Sequence, residues 1–361
     1  MMRRLIPFIA AGLLVLLFAA CAEIPTLPTV IPPDPEGVTE PTTWGSSVEV
    51  YGSIDKAPFL TPLDVPDFVK VRVSIPEFTD SKFTEDNFRV FEDGKAQGFL
   101  IFKESEKRSA ADIVFVVDVT GSMGTEINGV KNSLSNFIQD LKDSGLDVRV
   151  GVMPYGDYAP AREDTDDEIE FDPPFLNLSD PDTAQDYVEL LGVGYGGDGP
   201  ENAYGAIVQA WKNMSWRRSA QKIIILLTDA VSHYRGDGSY QPFDPQYTKD
   251  EVIAALKGFA TLHIVASTGG YFSEYDTDFS SPDDPREIAV ETGGLIIYQD
   301  PYGEPDLSAI GIVEYVESSW IIVFQSDSPA DTHDVDIYFD ADGDTFTTDD
   351  QGALHLVGVE Y

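Results

Sequence analysis

One carboxylate and two hydroxyls stand at alternate positions in Asp118-Val119-Thr120-Gly121-Ser122, directly after the apolar run 113–117. A continuous apolar run of that length reads as a strand buried on both faces. The three oxygens therefore fall at its carboxyl end. Asp229 closes a second such run, 223–227, in the same way. The glycine-rich stretch Gly196-Gly197-Asp198-Gly199-Pro200-Glu201 carries two more carboxylates into a helical pattern. In open α/β sheets, ligand sites gather outside the carboxyl ends of the strands, where the connections diverge. Oxygen donors without Cys or His suit Mg2+, Mn2+ or Ca2+ and not zinc. Few formal charges around such a cation would leave it electrophilic, with one position open.

The elements that must position these loops are legible in the hydropathy. Ile127, Val130, Leu134, Phe137, Ile138 and Leu141 form one helical stripe. A strand at 148–153 follows, then a short one at 175–178, placed at a sheet edge. Pro200 suits the first turn of a helix running through Ile207 and Trp211. Thr248-Lys249-Asp250-Glu251 is a capping box for a helix reaching Phe259. Strands at 262–266 and 295–298 enclose a helix that opens at Asp284-Pro285-Arg286-Glu287 and stops at Gly293-Gly294; a last helix covers roughly 307–316. Strands alternating with helices predict a doubly wound, mostly parallel α/β sheet over 109–317.

The flanks read differently. Residues 69–75 alternate with period two, and 88–91 meets 98–102 across the turn Glu92-Asp93-Gly94-Lys95, a hairpin signal. Strand patterns return at 321–324 and 335–339. The flank 318–361 is too short to bury a core alone. Together 46–108 and 318–361 are expected to make one small β-sandwich, into which the α/β domain is inserted.

The chain opens with Met1-Met2-Arg3-Arg4, then an apolar run over 5–20 ending in Phe18-Ala19-Ala20-Cys21. The run is short for a spanning helix. It resembles a bacterial lipoprotein signal, with 1–20 removed and Cys21 lipidated as the membrane anchor. Ala22 follows, so no aspartate retention signal is present, and outer-membrane or cell-surface placement is expected. Residues 21–45, rich in Pro, Thr and Glu, read as an extended tether. Cys21 is the single cysteine, which excludes a disulfide within the chain. A net charge of -40, from 63 acidic against 23 basic residues, argues against nucleic acid and against attachment to anionic lipid by charge.

Asp118-x-Thr120-x-Ser122 resembles the metal-ion-dependent adhesion site of von Willebrand factor A domains. The likeness is closest to the A-like domain of integrin β subunits. It rests on three stretches: Asp118 to Met123, Asp198-Gly199-Pro200-Glu201-Asn202-Ala203, and Thr228-Asp229-Ala230 through His233 to Gly236-Asp237-Gly238. The resemblance implies direct or water-mediated metal contact by Asp118, Thr120, Ser122, Glu201 and Asp229. It implies Mg2+ (or Mn2+ or Ca2+) as the ion, and a protein ligand presenting an acidic residue as the partner. Thr120 replaces the commoner Ser and keeps the hydroxyl. A neighbouring cation, Ca2+ in that family, would use Asp157, Asp198 and the shared Glu201; Gly196 stands where the pattern has Asn and removes a ligand. A third, flanking site would have Glu126 as its carboxylate. Asp86-Asn87-Phe88-Arg89-Val90-Phe91-Glu92-Asp93-Gly94 also resembles the β segment preceding such domains in bacterial secreted proteins.

An enzyme is not expected. A Mg2+-dependent phosphotransferase of the haloacid-dehalogenase type wants a second Asp two residues after the first, for acid/base work; Thr120 stands there. A structural envelope protein with a stabilising metal is the other alternative. Arg235-Gly236-Asp237, the acidic loop 163–170 and Asp340-Ala341-Asp342-Gly343-Asp344 have sufficient explanations as turns or solvated loops. His233, His263, His333 and His355 show no ligand spacing.

Overall fold

The computed structural model describes residues 30–41, 47–58, 63–78, 82–108, 110–125, 127–143, 146–161, 173–194, 196–239, 245–300, 312–343, 346 and 350–361. Cys21 with its signal, Glu126 and the acidic loop 163–170 lie outside the described residues, as does the start of the last helical pattern.

Ile113 through Val117 are fully buried because their strand, Ala110–Asp118, is an inner member of a six-stranded sheet. The spatial order is Ile296–Gln299, Thr261–Ser267, Gln221–Thr228, Ala110–Asp118, Asp147–Tyr155, Leu176–Ser179. Neighbours run parallel except for the last pair, which is antiparallel. Alternate residues enter opposite layers. Ile113, Phe115 and Val117 pack with the helix Ile127–Asp143, while Val114 and Val116 pack with Ala203–Asn213. The chain leaves Ala110–Asp118 toward one neighbour and returns on its other side, so the topological switch point falls at Asp118.

Local departures from the sequence reading have local causes. The helix expected from Pro200 begins at Ala203, because Asn202 is its N-cap and accepts from the Gly205 amide at 3.0 Å. The helix from the capping box runs Lys249–Leu256, and Gly258, at φ +84, turns the chain before Phe259. Ile296–Gln299 is half-buried, since it is the sheet edge. An unanticipated helix, Pro181–Val188, has Asp180 as N-cap and Pro181 in its first turn. The last helix is Ile312–Glu317 within the described residues.

Both flanks contribute to both sheets of the β-sandwich. One sheet orders Tyr51–Ile54, Phe68–Ser74, Ser319–Gln325, Phe99–Lys103; the other orders Gln351–Val359, His333–Asp340, Phe88–Glu92, Lys95–Ala96. Val71, Val73, Phe88, Trp320, Ile322, Ile337 and Phe339 share one core. The expected hairpin is shorter than its sequence signal: across the turn Phe88–Glu92 meets Lys95–Ala96, and Phe99–Lys103 crosses to the opposite sheet beside Ser319–Gln325. Gly98 permits the crossing, since a Cβ there would lie 2.0 Å from the Pro32 carbonyl oxygen. Residues 30–41 fall in the stretch read as a tether, yet they lie on the sandwich. Asp34 accepts from the Gly98 amide at 3.1 Å and pairs with Lys95 at 2.7 Å. The proline-rich segment here forms a strap against a sheet, an outcome composition alone does not separate from a free linker.

The sandwich and the α/β domain meet at a buried ionic cluster. Arg72 contacts Glu104 at 3.0 Å and Asp55 at 3.4 Å; Arg108 contacts Glu104 at 2.6 Å and Asp55 at 2.9 Å. Arg72 also donates to the Thr261 hydroxyl at 3.0 Å, which ties the sandwich to a strand of the inserted domain. Nearby, Gly293, at φ +72, packs so closely on Gly52 that a Cβ would fall 2.4 Å from its backbone. Two cations balance two anions in the cluster, so deleting one cation strands a buried carboxylate. Arg72→Met is therefore expected to destabilise the chain by about 3–5 kcal/mol, read as a lowered midpoint of chemical denaturation.

Candidate metal centre

The site begins with Asp118, which is fully buried at the last position of its strand. One carboxylate oxygen, Oδ1, accepts from the Thr120 amide at 3.0 Å and the Thr120 hydroxyl at 2.6 Å. Oδ2 accepts from the Thr228 hydroxyl at 2.8 Å. Thr228 ends the adjacent strand, so this bond spans two parallel strands at their carboxyl ends. After Thr120 the chain winds into the short 3-10 turn Gly121–Thr125, with Met123 buried beneath it as an anchor. That turn presents the Ser122 hydroxyl 3.1 Å from Thr120 Oγ1 and lets it donate to Asp229 Oδ1 at 3.1 Å. Four of the five expected ligands are thus joined in one hydrogen-bonded chain.

Glu201 joins from a different loop. It stays out of the helix because its backbone makes a short parallel bridge to Ser232: its amide donates to the Val231 carbonyl at 2.9 Å, and its carbonyl accepts from the His233 amide at 2.7 Å. The side chain is thereby held beside Thr120. A Cβ added at Gly196 would lie 2.7 Å from Glu201 Oε1 and 2.8 Å from Thr120 Cγ2. Glu201 is 2% exposed, and its Oε2 has no hydrogen-bond partner among the described residues.

Electrostatics mark this corner as unbalanced. Burial pushes the Asp118 carboxyl up to about 7, with the Asp229 charge adding to it and the threonine hydrogen bonds opposing it. Glu201 rises to about 10, through burial and through the charges of Asp118, Asp157, Asp198 and Asp229. Burial also raises Asp229, against the hydrogen bond from Ser122. A divalent cation would reverse each of these penalties. Three carboxylates and two hydroxyls, with an orphaned buried Oε2 among them, are the donor set of a hard cation.

The residues expected for a neighbouring cation gather around an imidazole. Asp157, Asp198 and His233 each offer one ligand atom within 4.8 Å of the others. His233 is buried, Nε2 lies 3.0 Å from Asp198 Oδ1, and Nδ1 lies 2.7 Å from Asp237 Oδ2. The sequence reading set His233 aside with the other histidines; in the fold it stands beside Asp157 and Asp198. The signal was its place four residues after Asp229, with Asp237 four residues further on; no linear ligand spacing connects it to Asp157. Arg235 and Asp237 both have partners within the domain, Arg235 with Glu251 at 2.7 Å and Asp237 with His233. Asp340 Oδ1 accepts from the Asp342 amide at 3.0 Å, as expected of a turn.

Residues 112–270 match the sequence model of the von Willebrand factor type A domain. A segment of 136 residues, 37% of this chain, is 29% identical to the alpha-protein kinase vwkA of Dictyostelium discoideum and spans 20% of that protein. Among solved structures, the chain is similar to proximal thread matrix protein 1 of the mussel byssus, solved with a zinc-occupied MIDAS motif, at 15% identity and a TM-score of 0.41, covering 62% of this chain and 49% of that one. It is also similar to the pilus adhesin SpaC of Lactobacillus rhamnosus GG in an open conformation, at 12% identity and a TM-score of 0.41, covering 75% and 34%. A conserved hypothetical protein, BatB of Bacteroides thetaiotaomicron, matches at 14% identity and a TM-score of 0.37, covering 57% and 96%.

Raised carboxylate pKa values carry a sign. They favour the folded state most below the unfolded value, and that contribution is lost as pH rises through the folded one. For Asp118 the loss runs from its ordinary value of 3.8 to about 7; for Glu201 it runs from 4.5 to about 10. In chelator at pH 8, Asp118→Asn and Glu201→Gln are expected to stabilise the chain by about 1 kcal/mol or more, roughly 2–4 °C in melting temperature. The same variants should lose the melting increment that Mg2+ gives the parent chain, as calorimetry would show.

Proposed function

With a von Willebrand factor type A domain at residues 112–270 as the premise, we propose that the chain is an envelope or surface lipoprotein that binds a protein, or another acidic ligand, in a divalent-cation-dependent manner. The observation that carries this is the convergence of Asp118, Thr120, Ser122, Glu201 and Asp229, with Glu201 Oε2 buried and unpartnered among the described residues. These residues would hold Mg2+, with Mn2+ or Ca2+ as substitutes. The bound ion supplies an electrophilic position that accepts a carboxylate from the partner. Thr120 and Thr228 hold Asp118 in one rotamer, and Ser122 orients Asp229. An integrin-β-like arrangement is the finer form of this reading, supported by the Glu201 loop.

The exposure gradient favours binding over a purely structural ion. Asp118, Thr120 and Glu201 are buried, whereas Ser122 is exposed and Asp229 is half-buried. One face of the centre is thus open to a macromolecule. A phosphotransferase is not supported, because the Thr120 hydroxyl, at the position of the required acid/base, is bonded to Asp118 itself. Among the described residues no helix is long and apolar enough to cross a membrane. The lipoprotein-like signal ending at Cys21 is what supports attachment through a lipid on that residue.

Capture of a protein from the envelope extract of the producing cell is expected in Mg2+, lost in EDTA and lost in Asp118→Asn. Capture that survives both treatments would sink the binding reading. Cys21→Ser should move the chain from the membrane to the soluble fraction on ultracentrifugation; unchanged membrane retention would remove the lipid anchor.

A further inference from the structure

In the sandwich, His333 has no neutral tautomer that satisfies its surroundings. Its Nδ1 lies 2.7 Å from Asp93 Oδ2, and its Nε2 lies 2.9 Å from the Ser328 carbonyl oxygen. A carboxylate and a carbonyl only accept, so both ring nitrogens must donate, and only an imidazolium carries two N–H groups. The residue is 4% exposed and its ring stacks on Tyr361, with centroids 5.2 Å apart. Among the described residues, the titratable groups facing it are Asp93, Glu92 with Oε1 at 3.8 Å, and Tyr361, whose hydroxyl donates to Glu92 at 2.9 Å. Burial and Glu92 push the Tyr361 phenol up, so it stays neutral. Burial also works against a charge on His333, but the Ser328 carbonyl and the two carboxylates outweigh it and hold its pKa above the ordinary 6.5.

The two segments gripped by this ring also seat the strap. Asp93 stands at φ +50, held by its amide to the Asp334 carbonyl and by the Asp334 amide to Asp93 Oδ1, each at 2.9 Å. The same turn carries Lys95, and the loop 326–332 carries Asp327, 2.9 Å from Lys95. Lys95 pairs in turn with Asp34 of the strap, which accepts from the Gly98 amide. Apolar packing leaves the strap room to move: a cleft of about 360 Å3 lies along it, lined by Pro32, Pro33, Val38, Phe91 and Phe99.

We propose that His333 is a pH-sensitive clasp on the strap: as an imidazolium it locks the turn 92–95 to the loop 326–332, and its deprotonation loosens residues 30–41. Losing the proton leaves either the Asp93 carboxylate or the Ser328 carbonyl facing a lone pair, an unmade bond at a buried ring. The sign follows from a raised histidine. Its contribution is complete below the unfolded pKa and is lost as pH rises through the higher folded one. Freed, residues 30–41 would lengthen the tether by roughly 40 Å. The clasp involves no residue of the metal centre; only this gain in reach rests on the anchor at Cys21.

In the full chain carrying nitrogen-15 histidine, long-range nitrogen–proton spectra read the protons on each ring, and His333→Gln assigns the His333 signals. Both His333 nitrogens are expected to be protonated below the ordinary 6.5, with a midpoint above it. The Gly98 amide reports strap seating, because it donates to Asp34 at 3.1 Å. Beyond its intrinsic base-catalysed rise, its hydrogen exchange should speed up about fivefold or more as His333 loses its proton. In His333→Gln it should be fast at every pH. Asp93→Asn, at a half-exposed side chain whose left-handed backbone Asn also adopts, should lower the His333 midpoint and move the Gly98 transition with it. Asp34→Asn should free the Gly98 amide and leave the His333 midpoint in place. A His333 ring with a single proton below 6.5 overturns the proposal, as does Gly98 exchange that ignores the His333 transition.

Discussion

Repulsion among buried carboxylates is the constraint around which the upper end of this sheet is built. Asp118 accepts three hydrogen bonds from Thr120 and Thr228, and these orient its charge without neutralising it. Glu201, Asp229, Asp157 and Asp198 crowd the same corner, and the charges acting most on Glu201 are carboxylates. Removing ionised groups from water without a countercharge costs several kcal/mol each. A fold tolerates that only where a ligand relieves it and a large core elsewhere supplies the stability. Here the core is the two layers packed on either face of the six-stranded sheet.

A second cluster in the same chain makes the contrast. At the seam between sandwich and inserted domain, Asp55 and Glu104 are as deeply buried as Asp118, yet each meets a guanidinium of Arg72 or Arg108. Charge balance there comes from the chain itself, as in a structural joint. At the switch point the balance must come from outside. The joint also matters for the site, because Arg72 reaches Thr261 and so links the strap-bearing sandwich to the sheet that carries Asp118.

Much of this was legible in linear sequence. Buried strands such as 113–117 and 223–227 announce themselves by continuous apolar runs, and the acidic residues that follow them must stand at carboxyl ends. The likeness of the three loops then joined Glu201 to Asp118 and Asp229. Other features were hidden for physical reasons. The hairpin at 88–102 broke because Gly98 lets the chain pass under Pro32, a contact between residues far apart in sequence. The helix after the glycine-rich loop began late because Asn202 caps it while Glu201 bridges to Ser232. His233 looked isolated because its partners sit in two other loops, at Asp157 and Asp198.

The sequence by itself determined which residues lie at the carboxyl ends of buried strands, since alternation and apolar run length are local properties of the chain. Strand patterns on both sides of the α/β pattern, with a final flank too short to bury a core alone, also led to the expectation that one domain interrupts another. Only the tertiary structure decided which carboxylates share space, and with what. Strand order brought Thr228 to Asp118, the bridge at Ser232 turned Glu201 inward, and the folding of three loops set an imidazole among Asp157, Asp198 and Asp237. Those are distances through space, and no spacing along the chain encodes them.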